Sequence, residues 1–369
     1  MHKSTRLLYG ATDLRAPHFS ADLLWRTGFR VPDPLFLAEV GGKTVLLASP
    51  LEAGRAEKEA DVDRVVRVAG KGLDAVTTFL KERGVRQIEI PEGFPYGIAV
   101  ALKKEFAIIV GREPWYPERA IKTSAEIKEI EKAQHATERA FDRVVAFLRE
   151  CRIGGKILHY GNHPATSEMA RKIIDDALWE KGYLATDTIV AGGAQAADPH
   201  CIGSGVLPAR VPIVIDIFPV SLATHYYADM ARTVFKGEPT KESLRMYETV
   251  RTAQESAIKK IRAGADGRII YNGVRDYFSA EGYETRLDGK TSEGFIHGLG
   301  HGVGMEIHEY PRLGSVREIL EEGNVVTVEP GLYYPGVGGI RIEDMILVTR
   351  RGYRDLAKSA KDLASVIII

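Results

Sequence analysis

The sequence has only two cysteines in 369 residues, Cys151 and Cys201. A single pair in a chain of this length is not the disulfide framework that stabilises small secreted domains. Cys201 follows His200 directly, but no activating group accompanies it, so a small packed side chain is favoured over a nucleophile. We therefore assign the two thiols no catalytic role.

Net charge and long apolar runs are also missing. The 50 Lys and Arg residues balance the 50 Asp and Glu residues, so overall charge provides no attraction to nucleic acid or to an anionic membrane. No run approaches the roughly 20 apolar residues of a membrane-spanning helix, and residues 1–10 lack the apolar core of a signal peptide. We expect a cytoplasmic protein with no nucleic-acid or membrane partner.

Residues 1–118 predict a small α/β domain. Strand-like runs such as residues 44–48 and 87–90 alternate with segments such as residues 73–83, whose apolar residues recur at helical spacing. This order is typical of a strand-helix-strand domain. It contains no dense cluster of His, Asp or Glu among glycines, so we assign it no chemistry. Pro114 and Pro117 bracket the predicted boundary.

Residues 119–369 predict an α+β domain made of two similar halves. A capping box formed by Thr123 and Glu126 begins the first long helix. The element order helix, helix, strands then occurs twice, with predicted helices over residues 123–144, 167–180, 241–261 and 267–280, and strands near 188–191, 211–218, 226–235, 325–328 and 339–349. Duplicated halves around a curved antiparallel sheet would leave a substrate cleft between them.

Potential metal ligands occur at strand-like segments of both halves: Asp216, Asp229, His301, Glu329 and Glu343. Any one of these acids could be a turn or cap residue. Acidic side chains are rarely buried without partners, however, and these apolar segments would bury all four. Divalent cations between the carboxylates would offset their repulsion, so we favour two metal ions that activate one water molecule.

A histidine- and glycine-rich stretch, residues 297–309, lies between the two acidic pairs. Its alternating glycines argue against a helix and predict extended backbone that allows a ligand to approach closely. Imidazole is a common ligand for zinc, iron and cobalt, and carboxylates also suit manganese. Arg341, two residues before Glu343, would share its strand face and hold a carboxylate or a substrate oxyanion; an ordinary salt bridge with Glu343 is equally compatible.

These segments resemble the pita-bread metallopeptidases, the family of prolidase, aminopeptidase P and methionine aminopeptidase. The resemblance covers most of residues 123–350 and is carried by residues 215–217, 228–233, 297–309, 328–331 and 341–344. Residues 1–118 are similar to the creatinase-like N-terminal domain of the prolidase and aminopeptidase P branch. The resemblance implies an Xaa-Pro dipeptidase or Xaa-Pro aminopeptidase, with a peptide substrate that has proline in second position, and a homodimer.

The resemblance also implies a role for each candidate residue. Asp216 would bind one metal ion, Asp229 and Glu343 would bridge two, and His301 with Glu329 would complete the second site. Glu329 would accept the proton of the attacking water. The other residues expected at the substrate are His200, His297, His308 and Arg341, of which all but His297 are expected to act in catalysis. Two divalent ions are implied, with manganese favoured over cobalt, zinc or iron.

Some positions differ from the family pattern and bear on substrate preference. Asp216 and Asp229 are thirteen residues apart (229 minus 216), about two more than is usual in the family, so the loop over residues 219–225 is longer. Phe218 stands where the family commonly has glycine, and Ala231 where it has threonine. Candidates for a pocket around the proline ring are Tyr226, Tyr227 and Tyr333. Two alternatives stay open: a creatinase-like hydrolase of a non-peptide C–N bond, and a non-catalytic binding protein.

Overall fold

The computed structural model describes residues 5–68, 72–287 and 292–369. It divides into two compact units, Met1–Arg119 and Ala120–Ile369. Within the described ranges, no helix is both long enough and apolar enough to cross a membrane.

The smaller unit is built on a mixed six-stranded sheet. Its strands are β1 (Thr5–Gly10), β2 (Leu35–Val40), β3 (Lys43–Ala48), β4 (Arg64–Arg67), β5 (Gln87–Ile90) and β6 (Ala107–Val110). Its helices are α1 (Ala21–Thr27), α2 (Pro50–Glu59), α3 (Gly72–Lys81) and α4 (Tyr96–Leu102). The strand order is β4-β3-β2-β1-β5-β6, and consecutive side chains such as Leu7 and Leu8 enter separate apolar clusters. The predicted α/β character of this part of the chain is confirmed.

The four long helices of the larger unit begin where the sequence signals predict: α5 (Ser124–Glu150), α6 (Ser167–Trp179), α7 (Lys241–Ile258) and α8 (Gly267–Ala280). A short helix that was not predicted, α9 (Leu363–Val366), lies near the end of the sequence. Thr123 Oγ1 accepts a hydrogen bond from the Glu126 N–H at 3.3 Å, and the Glu126 side chain accepts one from the Thr123 N–H at 2.7 Å. This reciprocal pair satisfies two N–H groups at the start of α5, which confirms the predicted capping box.

The strands of the larger unit are short and mostly buried. They are β7 (Arg152–Gly154), β8 (Ile157–Tyr160), β9 (His163–Pro164), β10 (Tyr183–Leu184), β11 (Ile189–Gly192), β12 (Ile213–Ile217), β13 (Val220–Ser221), β14 (Met230–Lys236), β15 (Arg286–Leu287), β16 (Ser292–Glu293), β17 (Gly300–Gly302), β18 (Glu309–Leu313), β19 (Val325–Val328), β20 (Gly331–Tyr334), β21 (Gly338–Arg341), β22 (Asp344–Thr349), β23 (Gly352–Asp355) and β24 (Ile367–Ile368).

Two sheets carry the candidate site, one from each half. The first has the order β11-β12-β14-β24 and the second β18-β17-β19-β22-β23. Antiparallel pairing places Asp216 opposite Ala231 in the first and Val328 opposite Asp344 in the second. Apolar faces of α5 to α8 join these strands in one core. The predicted α+β organisation, with duplicated helix-helix-strand halves and antiparallel sheets, is confirmed.

Two predicted strands differ from the observed ones at metal-ligand candidates. The strand predicted over residues 226–235 begins only at Met230, so Asp229 lies one residue before β14. The strand predicted over residues 339–349 is interrupted after Arg341, and Glu343 lies in the gap before β22. Because the strands on both sides of this gap are buried, the apolar pattern of the sequence does not indicate that the strand is interrupted.

Candidate metal centre

The nine residues that the sequence singles out all line one cavity of about 900 Å³. They are Asp216 on β12, Asp229 before β14, His301 on β17, Glu329 after β19, Glu343 between β21 and β22, together with His200, His297, His308 and Arg341. Asp216, Asp229 and Glu343 are buried. Strand ends from both halves therefore deliver the candidate ligands to one place.

The centre of the cluster is formed by Asp229, His301 and Glu343, whose potential ligand atoms all lie within 4.8 Å of one another. Nε2 of His301 is 3.6 Å from Asp229 Oδ2 and 3.3 Å from Glu329 Oε1. The Nδ1–H of His301 donates to the Gly302 carbonyl at 3.1 Å. That hydrogen bond favours the tautomer with a free lone pair on Nε2, the atom that faces the carboxylates.

Asp216 sits beside this cluster and is held by Arg341. Arg341 Nη2 donates to Asp216 Oδ2 at 2.6 Å, and both side chains are buried. The strand predicted through Arg341 and Glu343 is interrupted at residue 342, although both side chains line the cavity. Arg341 does hold a carboxylate, but that carboxylate belongs to Asp216 and not to Glu343. The other oxygen, Asp216 Oδ1, is buried and has no hydrogen-bond partner among the described residues.

A chain of hydrogen bonds extends from Arg341 to the histidine-rich stretch. Arg341 Nη1 donates to the Tyr333 hydroxyl at 2.9 Å, and that hydroxyl lies 2.9 Å from His297 Nε2. His297 Nδ1 is 2.7 Å from the Gly298 carbonyl, which accepts its proton. Burial lowers the pKa of His297, so the neutral ring accepts from Tyr333 while Tyr333 accepts from Arg341. This chain links Asp216 to the backbone of the histidine stretch.

Burial and mutual repulsion shift the acids of the cluster. Burial raises the pKa of Asp216, and burial together with neighbouring carboxylates raises the pKa values of Asp229 and Glu343 well above their usual range. Burial also acts on Glu329, but its hydrogen bond to His301 and the charge of that ring outweigh it and lower the pKa of Glu329 to about 2. Burial alone would lower the pKa of His301, but the hydrogen bond to Glu329 and the charge of that carboxylate outweigh burial and raise this pKa to about 9.

These residues fit a divalent cation. Buried carboxylates that repel one another are stabilised by positive charge between them. The donors are carboxylate oxygens and one imidazole whose Nε2 faces them, a set that suits manganese, iron, cobalt or zinc once the ring has lost its Nε2 proton. Asp216 Oδ1, buried and without a hydrogen-bond partner in the part of the chain that the structure describes, is the sort of oxygen that a cation would satisfy.

His308 and His200 complete the cavity wall. The His308 ring stands edge-on to His301, with 4.3 Å between ring centroids. Loss of hydration and the nearby charge of His301 lower the pKa of His308 to about 4. The backbone N–H of His200 donates to Asp198 Oδ1 at 3.0 Å, and its exposed side chain lines the cavity.

The aromatic residues that line the cavity are not the ones predicted for the proline pocket. Within the described residues, none of Tyr226, Tyr227 and Tyr333 lines the cavity; the Tyr226 hydroxyl donates to Glu126, and Tyr333 lies behind His297. The aromatic residues that do line it are Phe218, Tyr271 and Tyr310. Phe218, two residues after Asp216, is the position that the sequence already marked as bearing on substrate preference, because the family commonly has glycine there. Tyr271 and Tyr310 carry no comparable signal.

Comparison with known proteins identifies the family. The model of metallopeptidase family M24 matches residues 128–350. The chain belongs to metallopeptidase family M24. A similar relative is the Xaa-Pro dipeptidase of Pyrococcus horikoshii, 34% identical over 287 residues that cover 76% of this chain and 75% of the relative. The Xaa-Pro dipeptidase of Pyrococcus furiosus is 35% identical over 249 residues, which cover 66% of this chain and 65% of that one.

Solved structures of related proteins have the same fold as this chain over nearly its whole length. The Xaa-Pro dipeptidase from Bacillus anthracis matches with a TM-score of 0.84 and 27% identity, covering 99% of this chain and 95% of that one. The prolidase from Pyrococcus horikoshii OT3 matches with a TM-score of 0.80 and 27% identity, covering 98% and 95%. The expected pita-bread fold is confirmed. This M24 protein is a metallopeptidase, a class that requires divalent metal ions, and the creatinase-like and non-catalytic alternatives are not favoured.

Proposed function

We propose that this M24 metallopeptidase hydrolyses the peptide bond between an N-terminal residue and proline, with Xaa-Pro dipeptides as its substrates. The observation that carries the proposal is the cluster of two buried acids, Asp229 and Glu343, with the half-buried His301 inside the cavity. The names of its relatives, Xaa-Pro dipeptidases and prolidase, support the choice of substrate. Two divalent ions would be held by this cluster together with Asp216 and Glu329.

The residues of the cavity divide the chemical work. Bound divalent ions would lower the pKa of a water molecule and polarise the scissile carbonyl. Glu329 accepts the proton of that water at its carboxylate and returns it to the proline nitrogen as the bond breaks. His308 keeps one N–H in its neutral form and donates it to the developing oxyanion. Arg341 holds Asp216 in place from the opposite half.

The substrate bond explains the apolar wall. A bond to proline is a tertiary amide without an N–H, so a hydrogen-bond acceptor facing the proline nitrogen would have no donor to bind. Phe218, Tyr310 and Leu313 supply apolar surface for the ring. His200 and His297 are proposed as further substrate contacts in the cavity.

Arg312 is the residue that would select dipeptides. Of the two arginines that line the described cavity, Arg341 is buried against Asp216, whereas Arg312 is exposed on β18. A guanidinium binds a carboxylate through two parallel hydrogen bonds, and a dipeptide places its free carboxylate directly on the proline. Arg312→Met should therefore reduce kcat/KM for Xaa-Pro dipeptides about tenfold or more, and change Xaa-Pro-Yaa cleavage little.

The test uses the purified chain loaded with Mn²⁺ or Co²⁺. Xaa-Pro dipeptides and Xaa-Pro-Yaa peptides are incubated with it and the released amino acids are measured. Cleavage of neither, with metal bound, would contradict the proposal. Asp229→Asn and Glu343→Gln should abolish turnover and lower metal content, while Asp176→Asn, at an exposed ion pair on α6, should change neither. Normal turnover in the first two variants would contradict the two-metal hypothesis.

Three finer assignments remain predictions from the sequence. Manganese is preferred because oxygen donors dominate the proposed ligand set. The homodimer and the cytoplasmic location come from the sequence resemblance and from composition. Metal analysis of the purified protein and light scattering would test the first two.

A further inference from the structure

We propose that Thr327 is a positioning residue that orients both His301 and Glu329 for metal binding. The proposal rests on the proposed function, because it assigns a role at the same site. Thr327 lies on β19, two residues before Glu329, and its side chain is completely buried (0% exposed). Nothing in the sequence pattern distinguishes it from an ordinary strand threonine.

The Thr327 hydroxyl joins the two residues directly. The backbone N–H of His301 donates to Thr327 Oγ1 at 3.0 Å. The hydroxyl donates its own proton to Glu329 Oε1, 3.3 Å away. A hydroxyl has one proton and two acceptor lone pairs, so it can serve both partners at once. The same Glu329 oxygen lies 3.3 Å from His301 Nε2.

The local backbone explains why a side chain makes this link. The pairing of β17 with β18 shifts register between His301 and Gly302. Gly300 allows β17 to approach β19 closely, since a Cβ at Gly300 would lie 2.0 Å from the Thr327 carbonyl oxygen. The Glu329 N–H donates to the Leu299 carbonyl at 2.9 Å, which fixes the other end of the same segment. The threonine hydroxyl is thus held at fixed distances from both residues.

The consequence for the site is orientation. Glu329 can rotate about its side-chain bonds, and the hydroxyl restricts the carboxylate to the rotamer that faces His301 Nε2. Hydrogen bonds from outside the ligand set commonly orient metal ligands in this way, and their loss typically costs 10- to 100-fold in metal affinity or activity. Thr327→Val removes the hydroxyl and keeps the branched shape, whereas Thr327→Ser keeps the hydroxyl.

The experiment titrates the metal-free full chain with Co²⁺ and follows visible absorption, which reports the geometry of the ligands. Thr327→Val should bind Co²⁺ about tenfold or more weakly, with a changed spectrum, and Thr327→Ser should stay within about threefold of the parent. Thr137→Val is the matched control, because this buried hydroxyl on α5 donates only to its own helix, at the Ala133 carbonyl. It should leave affinity and spectrum unchanged.

Activity on an Xaa-Pro dipeptide provides a second readout at saturating Co²⁺, where kcat of Thr327→Val should fall about tenfold with little change in KM. Parent-like Co²⁺ affinity in Thr327→Val would overturn the proposal, as would a Thr327→Ser variant as weak as the valine. The Co²⁺ titration does not involve substrate. A parent protein that binds Co²⁺ but cleaves no Xaa-Pro peptide would therefore sink the proposed function and still allow the role of Thr327 to be decided.

Discussion

A buried ion cluster next to Glu343 carries the most quantitative stability prediction. Arg232 and Asp344 are each about 1% exposed at the side chain. Arg232 Nη2 donates to Asp344 Oδ1 at 2.6 Å, and the other oxygen of Asp344 accepts from Gln254 at 2.7 Å and from Lys361. Asp344→Asn keeps the shape but removes the charge, and its amide N–H₂ must face at least one of these donors. The variant therefore loses both attraction and a hydrogen bond.

Two routes give the size of the loss. Burial raises the pKa of Asp344, but Arg232 and Lys361 outweigh it and lower that pKa from 3.8 to about 2, which corresponds to roughly 2.5 kcal/mol. Removing one partner of a buried ion pair costs about 3–5 kcal/mol. We expect Asp344→Asn to lower the free energy of unfolding by about 2–5 kcal/mol at pH 7, a large share of the roughly 5–15 kcal/mol typical of a domain.

The pH dependence identifies the cause. A carboxyl whose folded pKa is depressed stabilises the protein above its unfolded pKa, and that contribution is lost as pH falls through the folded value. The difference between the parent and Asp344→Asn should be complete above about pH 5 and shrink as pH falls from 4 towards 2. A loss of the same size at pH 7 and pH 3 would point to packing instead.

Urea unfolding of the metal-free protein at pH 7, 5 and 3 measures this directly. The control is Asp176→Asn, whose exposed ion pair with Lys172 at 2.8 Å should contribute less than about 0.5 kcal/mol at any pH. A change below about 0.5 kcal/mol in Asp344→Asn at pH 7 would refute the reasoning, because it would show that the buried pair contributes no more than an exposed one.

Three further predictions concern other parts of the larger unit. Burial and the charge of Asp344 raise the pKa of Asp355 to about 6, so ionisation of Asp355 destabilises the fold as pH rises from about 4 to above 6. Asp355→Asn should therefore raise the free energy of unfolding in urea by about 1–2 kcal/mol at pH 7 and leave it unchanged near pH 4. A Cβ at Gly304 would lie 2.4 Å from the buried Glu309 carboxylate, so Gly304→Ala should lose about 1–3 kcal/mol and lower kcat, whereas parent-like values would show that the loop before His308 can shift freely. Chelation should lower the melting temperature and added Mn²⁺ should restore it in proportion to the logarithm of its concentration; a melting temperature indifferent to metal would contradict binding to the folded state.

Local signals in the sequence were sufficient for most of the fold and for the ligand candidates. The Thr123 capping box, the helix over residues 267–280 and the run before Glu329 each depend on neighbouring residues only, and each is found where it was predicted. The acids stood out because they end apolar strands, where an unpaired charge is costly. Placing those strand ends in two similar halves predicted one site for the five ligand candidates, whereas His200 and His308 were added by the family resemblance; all of them line one cavity.

The rest depends on pairing across the chain, which local pattern does not record. The gap between β21 and β22 is hidden because residues on both sides are buried. Arg341 pairs with Asp216, 125 positions away in the sequence, and not with its near neighbour Glu343. Tyr333 and Thr327 act through hydrogen bonds to residues on other strands. The sequence distance between these partners follows no regular spacing, so the contacts could not be predicted from the sequence.

Contacts between the two halves tie metal binding to the fold itself. In the gap before β22, the Glu343 N–H donates to the Ala231 carbonyl at 3.0 Å, and Arg232 donates to the Glu343 carbonyl at 2.5 Å. Arg341 of the second half in turn holds Asp216 of the first. Candidate ligands of each half are thus positioned by residues of the other, so the halves cannot separate without moving the cluster. A cation bound at this cluster should therefore also stabilise the association of the two halves. Any variant that weakens the contacts between the halves should in turn lower metal affinity.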